Sequence, residues 1–215
     1  SVNGVDVDWF CDTVDFETKQ NLKEQLEIKN GDFVITFVGR IVKDKGINEL
    51  ISVFNTLSQS RKHLKLLLIG DLEEELDPIS KTSKEIMYQH KQIVHVEFQQ
   101  DIRGFLSITD LFVLPSYREG LPNVLIEAGS YGIPLLATNI NGCNEVIIHE
   151  KNGLLIAPKN EVTLQNGIEK FLTDKNFYQE IKKSVRESIV SRYSQQYFWN
   201  ALREEFSKLE QEVNI

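Results

Sequence analysis

Cysteine is scarce in this sequence. Its two copies, Cys11 and Cys143, lie far apart, and neither sits in a Cys-x-x-Cys pair. That removes a disulfide framework and a cysteine-built zinc site, and it makes a reducing cytoplasm the default setting. Positive charge is short as well: 24 Lys and Arg face 32 Asp and Glu, a formal net charge of −8, with no long run of one sign. Nucleic-acid binding usually needs a basic face, so the balance argues against it. An anionic ligand must then be held by a few local cations and by backbone donors. No apolar run approaches the roughly 20 residues of a membrane-spanning helix, and no signal peptide opens the chain. Methionine occurs once, as Met87, and the chain starts at Ser1 with Asn3-Gly4, which reads as a turn reached from something upstream. The expectation is a piece of a longer protein. Two phosphate-binding fingerprints are missing: there is no Gly-x4-Gly-Lys-Ser/Thr loop, and no Gly-x-Gly-x-x-Gly after the first strand. His63, His90, His95 and His149 show no metal spacing, and Asp6-Val7-Asp8 lies in an irregular opening rather than at a strand end, so no metal site is expected.

What is present is ordinary globular composition, 41% hydrophobic and 26% charged, with a clear rhythm. Phe16, Leu22, Leu26 and Ile28 predict an amphipathic helix over 16–28, stopped at Asn30-Gly31. Short apolar strands are predicted at 33–38, 64–69, 93–98, 111–114, 133–137 and 154–156. Helices are predicted from Ile47, after Asp77-Pro78, at about 102–108, from Pro122 to Ser130, and around 145–148. Near-continuous apolar strands alternating with helices signify a parallel sheet covered on both faces. With right-handed crossovers this is a Rossmann-like, doubly wound α/β domain of about six strands. Beyond residue 160 the pattern is helical only, at 161–173, 176–191 and 194–211. The first 15 residues or so read as a linker, and about 192–215 as a final helix.

The ends of the strands carry the chemistry. Gly39-Arg40, Gly70-Asp71, Arg118-Glu119-Gly120 and Asn141-Gly142 follow the first, second, fourth and fifth strands. In a parallel sheet these ends share one edge, outside which ligands bind. Glycine lets backbone approach a ligand closely. Loops of this kind favour glycine and polar residues in any case, but four such ends form a pattern. Arg40 and Lys45 bracket the first of these loops and suit a phosphate, Arg40 as a two-toothed donor and Lys45 as a point charge. In Pro115-Ser116-Tyr117-Arg118-Glu119-Gly120-Leu121-Pro122-Asn123-Val124-Leu125-Ile126-Glu127, one carboxylate sits in a loop and a second about a turn into the following helix. Paired carboxylates accept hydrogen bonds from vicinal hydroxyls, and the helix N-terminus between them suits an anion. The stretch reads as the floor of a site for a phosphate-bearing ligand with several hydroxyls. Cys143, near the edge of that site, is read as a packed side chain.

These residues resemble a known family. Asn3-Gly4-Val5-Asp6, Phe37-Val38-Gly39-Arg40 with Lys45-Gly46, Leu68-Ile69-Gly70, Asp110 to Ser116, Glu119-Gly120-Leu121-Pro122, Glu127-Ala128, Gly132-Ile133-Pro134 and Asn152-Gly153-Leu154-Leu155 stand in the order found in the C-terminal, donor-binding half of retaining GT-B glycosyltransferases of family 4. Pro115 to Pro122 and Asn141 to Glu145 look most like bacterial capsule and exopolysaccharide transferases. The resemblance implies a nucleotide-sugar donor, with UDP favoured over GDP. It implies transfer of a hexose or N-acetylhexosamine with retention to a glycan or lipid-linked acceptor. No cofactor and no metal are implied. Arg40 and Lys45, beside Gly39, would neutralise the diphosphate; Gly120 and Leu121 would add backbone N–H groups through the helix N-terminus; Glu127 would hold the ribose. Glu119 would touch the transferred sugar, without being assigned as a nucleophile. Phe98 and Gln99 would face the nucleobase. The family pattern often has Gly-Gly in the fifth-strand loop, where this sequence has Asn141-Gly142. The resemblance implies an acceptor-binding N-terminal domain outside this chain, with the final helix as its expected neighbour, so this piece alone is expected to transfer little. The expected setting is the cytoplasm, with peripheral association at the inner face of the membrane. Two alternatives are half of a sugar-nucleotide 2-epimerase, against which Glu119-Gly120-Leu121-Pro122 and Glu127 argue, and a non-catalytic nucleotide-binding regulatory module.

Overall fold

The computed structural model describes residues 5–196 together with 199, 200, 202, 203 and 206. Six strands form one parallel sheet: β1 (Phe33–Val38), β2 (Leu64–Ile69), β3 (Ile93–Val96), β4 (Leu111–Leu114), β5 (Leu135–Thr138) and β6 (Gly153–Ile156). Their order is β3-β2-β1-β4-β5-β6, so the winding reverses between β1 and β4. Register follows the apolar runs residue by residue: Phe33 to Val38 pair with Leu64 to Ile69, and Phe112 to Leu114 with Leu135 to Ala137. Every residue of β2, β4 and β5 is buried, as a sheet covered on both faces requires.

Eight helices cover the sheet among the described residues: α1 (Phe16–Gln25), α2 (Ile47–Ser58), α3 (Lys81–Gln89), α4 (Arg103–Leu106), α5 (Asn123–Ser130), α6 (Cys143–Val146), α7 (Glu161–Thr173) and α8 (Lys175–Tyr193). The spacing of Ile47, Leu50, Ile51, Phe54 and Leu57 gives α2 one apolar stripe, and all five are buried. Each such side chain contributes about 1.5–3 kcal/mol on leaving water. Helix α2 packs against α3 and α7, α5 against α8, and α1 against α4. Phe37, Phe54 and Phe112 lie fully inside.

The elements predicted up to residue 193 stand, with corrected ends. The first helix stops at Gln25 rather than 28, and Glu27 turns left-handed at φ 52°. It is also less amphipathic than the sequence suggested: Phe16 is 77% exposed, and no residue of α1 is fully buried. Strand β3 ends at Val96 rather than Phe98, because its sole neighbour β2 ends opposite, at Ile69. Strand β5 starts at Leu135 rather than Ile133. Ile133 N–H donates to Ala128 O and Gly132 N–H to Gly129 O, and Gly132 has φ 81°, so these residues close α5 in a Schellman turn instead. The short helices are Arg103–Leu106 rather than 102–108, and Cys143–Val146 rather than 145–148.

Of the stretch read as a linker, residues 5–10 lie on α5 and α8. Val5 exchanges backbone hydrogen bonds with Tyr193 and Gln195. Arg186 donates to the carbonyls of Val7, Phe10 and Ser130. Most of the final helix read at 194–211 falls outside the described residues. Among the described residues, no helix is long and apolar enough to cross a membrane.

Asn152 ties β6 to α8. It is fully buried, accepts from Ile148 N–H at 2.7 Å, and donates to Val146 O and Ser188 Oγ at 3.1 Å each. Asn152→Ala takes the acceptor from Ile148 N–H and one of two donors each from Val146 O and Ser188 Oγ, which keep Arg192, and is expected to lower stability by about 1–2 kcal/mol, read by urea denaturation.

Candidate functional site

Because all six strands are parallel, the loops after them share one edge, and the reversal between β1 and β4 opens the crevice where ligands bind such sheets. The two loops that flank it carry Arg40, Lys45, Glu119, Gly120 and Leu121, while Glu127 lies on α5 and Phe98 and Gln99 follow β3. After β1, a single 3-10 turn, Lys43–Lys45, leads through Gly46 into α2. After β4, residues 115–122 lead into α5.

The structure brings Lys45 and Glu119 together. The Lys45 ammonium donates to Glu119 Oε1 at 2.7 Å, and the side chains are only 19% and 13% exposed. Arg40 turns elsewhere: its guanidinium reaches Glu73 Oε2 at 2.7 Å, in the loop after β2, and remains 60% exposed. Gly39 donates to Ile69 O at 2.9 Å and holds the first loop against the second. Gly120 and Leu121 are exposed and lie ahead of α5, whose first residue is Asn123 and whose N-cap, Pro122, offers no side-chain cap.

Glu127 lies one turn into α5. It is largely buried, no hydrogen bond or ion pair from the described residues reaches its carboxylate, and burial pushes its carboxyl pKa above the usual range. A carboxylate in that setting keeps its full acceptor capacity for a ligand. Phe98 is 68% exposed just past β3, with its backbone N–H on Asp71 Oδ1 at 3.0 Å. The Gln99 amide donates to Glu97 O at 3.2 Å.

The glycines act on the loops themselves. A Cβ on Gly46 would stand 2.2 Å from Pro115 O, one on Gly70 2.0 Å from Gly39 O, and one on Gly142 1.9 Å from Gly120 O. Three of these contacts therefore knit neighbouring strand-end loops together rather than open them to a ligand. Gly120 alone of this group has nothing within 4 Å of such a Cβ. Cys143 is fully buried, and burial, with the charge of Glu119 adding to it, pushes its thiol up to about 12. It is a packed side chain. Asp6 accepts from the backbone N–H groups of Asp8 and Trp9, closing a local turn.

Four residues that the sequence reading did not single out complete the edge. Tyr117 donates its hydroxyl to Glu49 Oε1 on α2 and its backbone N–H to Asp44 O. Asp44 Oδ2 accepts from Arg118 Nε at 3.0 Å, and Asp77 Oδ2 accepts from Asp44 N–H at 2.6 Å. An aromatic residue in a polar strand-end loop was the one available signal. Its partner Glu49 lies 68 residues away, and no local pattern announces it.

With this geometry in hand, the chain can be set beside known proteins. The family described as glycosyl transferases group 1 matches residues 18–188. The capsular polysaccharide biosynthesis glycosyltransferase CapM of Staphylococcus aureus is 32% identical over 194 residues, 88% of this chain and 51% of that protein. This chain thus spans about half the length of that curated relative. The crystal structure of Anabaena Alr3699/HepE in complex with UDP and glucose has the same fold, with a TM-score of 0.83 at 22% identity over 95% of this chain and 55% of that one. So does the C-terminal domain of LpcC, a glycosyl transferase group 1 family protein of Francisella tularensis, with a TM-score of 0.76 at 23% identity over 89% of this chain and 99% of that domain.

Proposed function

We propose that this chain, which belongs to the group 1 glycosyl transferases, holds a nucleotide-sugar donor in the crevice between the loops after β1 and β4. The observation that carries the reading is Glu127, a partly buried side chain one turn into α5 whose carboxylate no hydrogen bond or ion pair from the described residues reaches. Its acceptor capacity is unused within the described residues, and vicinal ribose hydroxyls supply the donors it lacks. In this reading Lys45 neutralises the diphosphate and stabilises it as the leaving group when the glycosidic bond breaks. Glu119 accepts from hydroxyls of the transferred sugar. Gly120 and Leu121 offer backbone N–H groups ahead of α5, where the dipole of the helix favours negative charge. Phe98, exposed beside the end of β2, stacks on the nucleobase, with Gln99 next to it. Arg40 adds a cation at the rim. These protein cations do the neutralising, so the proposed reaction calls on no metal ion.

The whole protein, in the same reading, transfers a hexose or N-acetylhexosamine with retention to a glycan or lipid-linked acceptor during cell-surface polysaccharide synthesis, at the cytoplasmic face of the membrane. Support comes from the 32% identity to CapM, a capsular polysaccharide transferase, and from UDP and glucose being bound in a protein of the same fold.

The test is calorimetric titration of UDP, GDP and ADP into the wild type and Glu127→Gln across pH. Hydroxyl donors favour the ionised carboxylate, whose pKa is raised in the free protein. Binding therefore strengthens as pH rises through that raised value and then levels off. Stability runs the other way: the folded protein holds the Glu127 proton more tightly than the unfolded chain, so stability falls over the same window. Glu127→Gln should weaken UDP about tenfold at neutral pH and flatten both slopes. A variant that binds UDP as the wild type does, with the same pH slope, defeats the ribose assignment. Failure of all three nucleotides to bind the wild type at millimolar levels favours a regulatory or structural module.

A further inference from the structure

The loop that carries Glu119 is clipped to the opposite loop at three successive residues. Tyr117 N–H donates to Asp44 O at 2.8 Å, Arg118 Nε to Asp44 Oδ2 at 3.0 Å, and Glu119 accepts from Lys45. The Tyr117 hydroxyl adds a fourth tie, to Glu49 Oε1 on α2, and the Lys159 ammonium lies 4.7 Å from the centre of its ring. Burial, and then the bond to Glu49, push the Tyr117 phenol pKa up, so the hydroxyl keeps its proton and remains the donor.

This arrangement is expensive. Glu49 Oε2 and Asp44 Oδ1 are both buried without a partner. A phenylalanine packed on an apolar residue would fill the same space without stranding a carboxylate oxygen. What the polar pair adds is direction. A hydrogen bond of fixed geometry, in surroundings poor in water, holds the ring and with it the backbone at 117. Two residues further on, the Glu119 carboxylate must meet an ammonium that sits at the mouth of α2, the helix that also bears Glu49. Tyr117 and Glu49 thus tie one half of the ion pair to the element that presents the other.

We propose that Tyr117 and Glu49 are positioning residues: their hydrogen bond sets the Glu119 carboxylate against the Lys45 ammonium and holds the two loops at the spacing the donor requires. The purpose rests on the donor-site reading above, whereas the positioning itself is visible in the ligand-free chain.

The experiment uses the whole chain and two readouts. Heteronuclear NMR of the Lys45 ammonium, assigned with Lys45→Arg, reports whether Glu119 shields it from exchange with water. Calorimetry reports UDP affinity. Tyr117→Phe and Glu49→Ala should each lose the slowly exchanging Lys45 signal and weaken UDP about tenfold. Glu49→Gln, whose amide oxygen still accepts from the phenol, should keep both, as should Tyr131→Phe, which removes a buried hydroxyl elsewhere. The double variant should lose no more than either single, because both act through one bond. Should Tyr117→Phe fail to fold, Glu49→Gln against Glu49→Ala decides the matter alone. A Lys45 signal unchanged in Tyr117→Phe or Glu49→Ala, or losses that add in the double variant, overturns the proposal. A signal that behaves as described in a wild type that binds no nucleotide overturns the donor-site reading and upholds the positioning.

Discussion

Gly46→Ala is expected to destabilise this chain by about 3–4 kcal/mol and to take ligand binding with it. The residue is left-handed, at φ 70° and ψ 24°, where it ends the 3-10 turn and begins α2. An alanine there carries a conformational cost of roughly 1 kcal/mol. The larger part comes from the contact: its Cβ would stand 2.2 Å from Pro115 O and 2.8 Å from Pro115 C, backbone atoms that no rotamer change can move. Relief requires the two loops at the switch point to separate. That strains the bond between Tyr117 N–H and Asp44 O, and behind it the pair of Lys45 and Glu119. Urea denaturation should show a lower midpoint with an unchanged slope, the sign of lost stability rather than altered compactness. UDP affinity should fall further than the loss of folded protein explains. Gly120→Ala is the control: with nothing within 4 Å of the added carbon it should stay within about 0.5 kcal/mol of wild type. If both variants unfold at the wild-type midpoint, the loops are not seated on each other as described.

The contrast between these two glycines also marks what a sequence can and cannot disclose. Leu64 to Ile69 could be read as a strand because five apolar residues in six leave few alternatives, and its pairing with Phe33 to Val38 follows from the fold. The shared edge was legible for the same reason: parallel strands put Gly39, Gly70, Gly120 and Gly142 side by side whatever the details. Their use was not. Whether a glycine faces a ligand or a neighbouring carbonyl depends on loop-to-loop distances, and Gly46, Gly70 and Gly142 each meet backbone from a different loop. Side-chain pairing was hidden likewise. Lys45 and Arg40 were both read as phosphate-binding cations of one loop, yet one is drawn to Glu119, 74 residues on, and the other to Glu73. Local pattern carries the period of an element. It carries nothing about which charge lies across the crevice. Helix α1 fails for a related reason: Phe16, Leu22 and Leu26 have helical spacing, but exposure of Phe16 shows that only part of the stripe finds a core to face.

That difference between the two cations sets up the sharpest test. Lys45→Ala should weaken UDP about a hundredfold, whereas Arg40→Ala should cost about tenfold or less. The Arg40 guanidinium is well exposed and already paired with Glu73, so solvent screens what it offers to a phosphate. The Lys45 ammonium is shielded from water, where a charge acts more strongly, and its partner Glu119 can turn to the hydroxyls of the sugar as the diphosphate arrives. Removing it alone also leaves Glu119 as a shielded carboxylate without its cation, so Lys45→Ala should lose stability by about 1–3 kcal/mol. The double variant Lys45→Ala, Glu119→Gln separates the two effects. Replacing both charges should restore most of the stability, because no unpaired charge remains, but should restore none of the affinity for the diphosphate. Raising the salt concentration should weaken UDP binding to the wild type and have less effect on the double variant, which has one cation fewer facing the phosphates. If the double variant recovers UDP affinity along with stability, Lys45 is there to pair with Glu119 and does not bind phosphate.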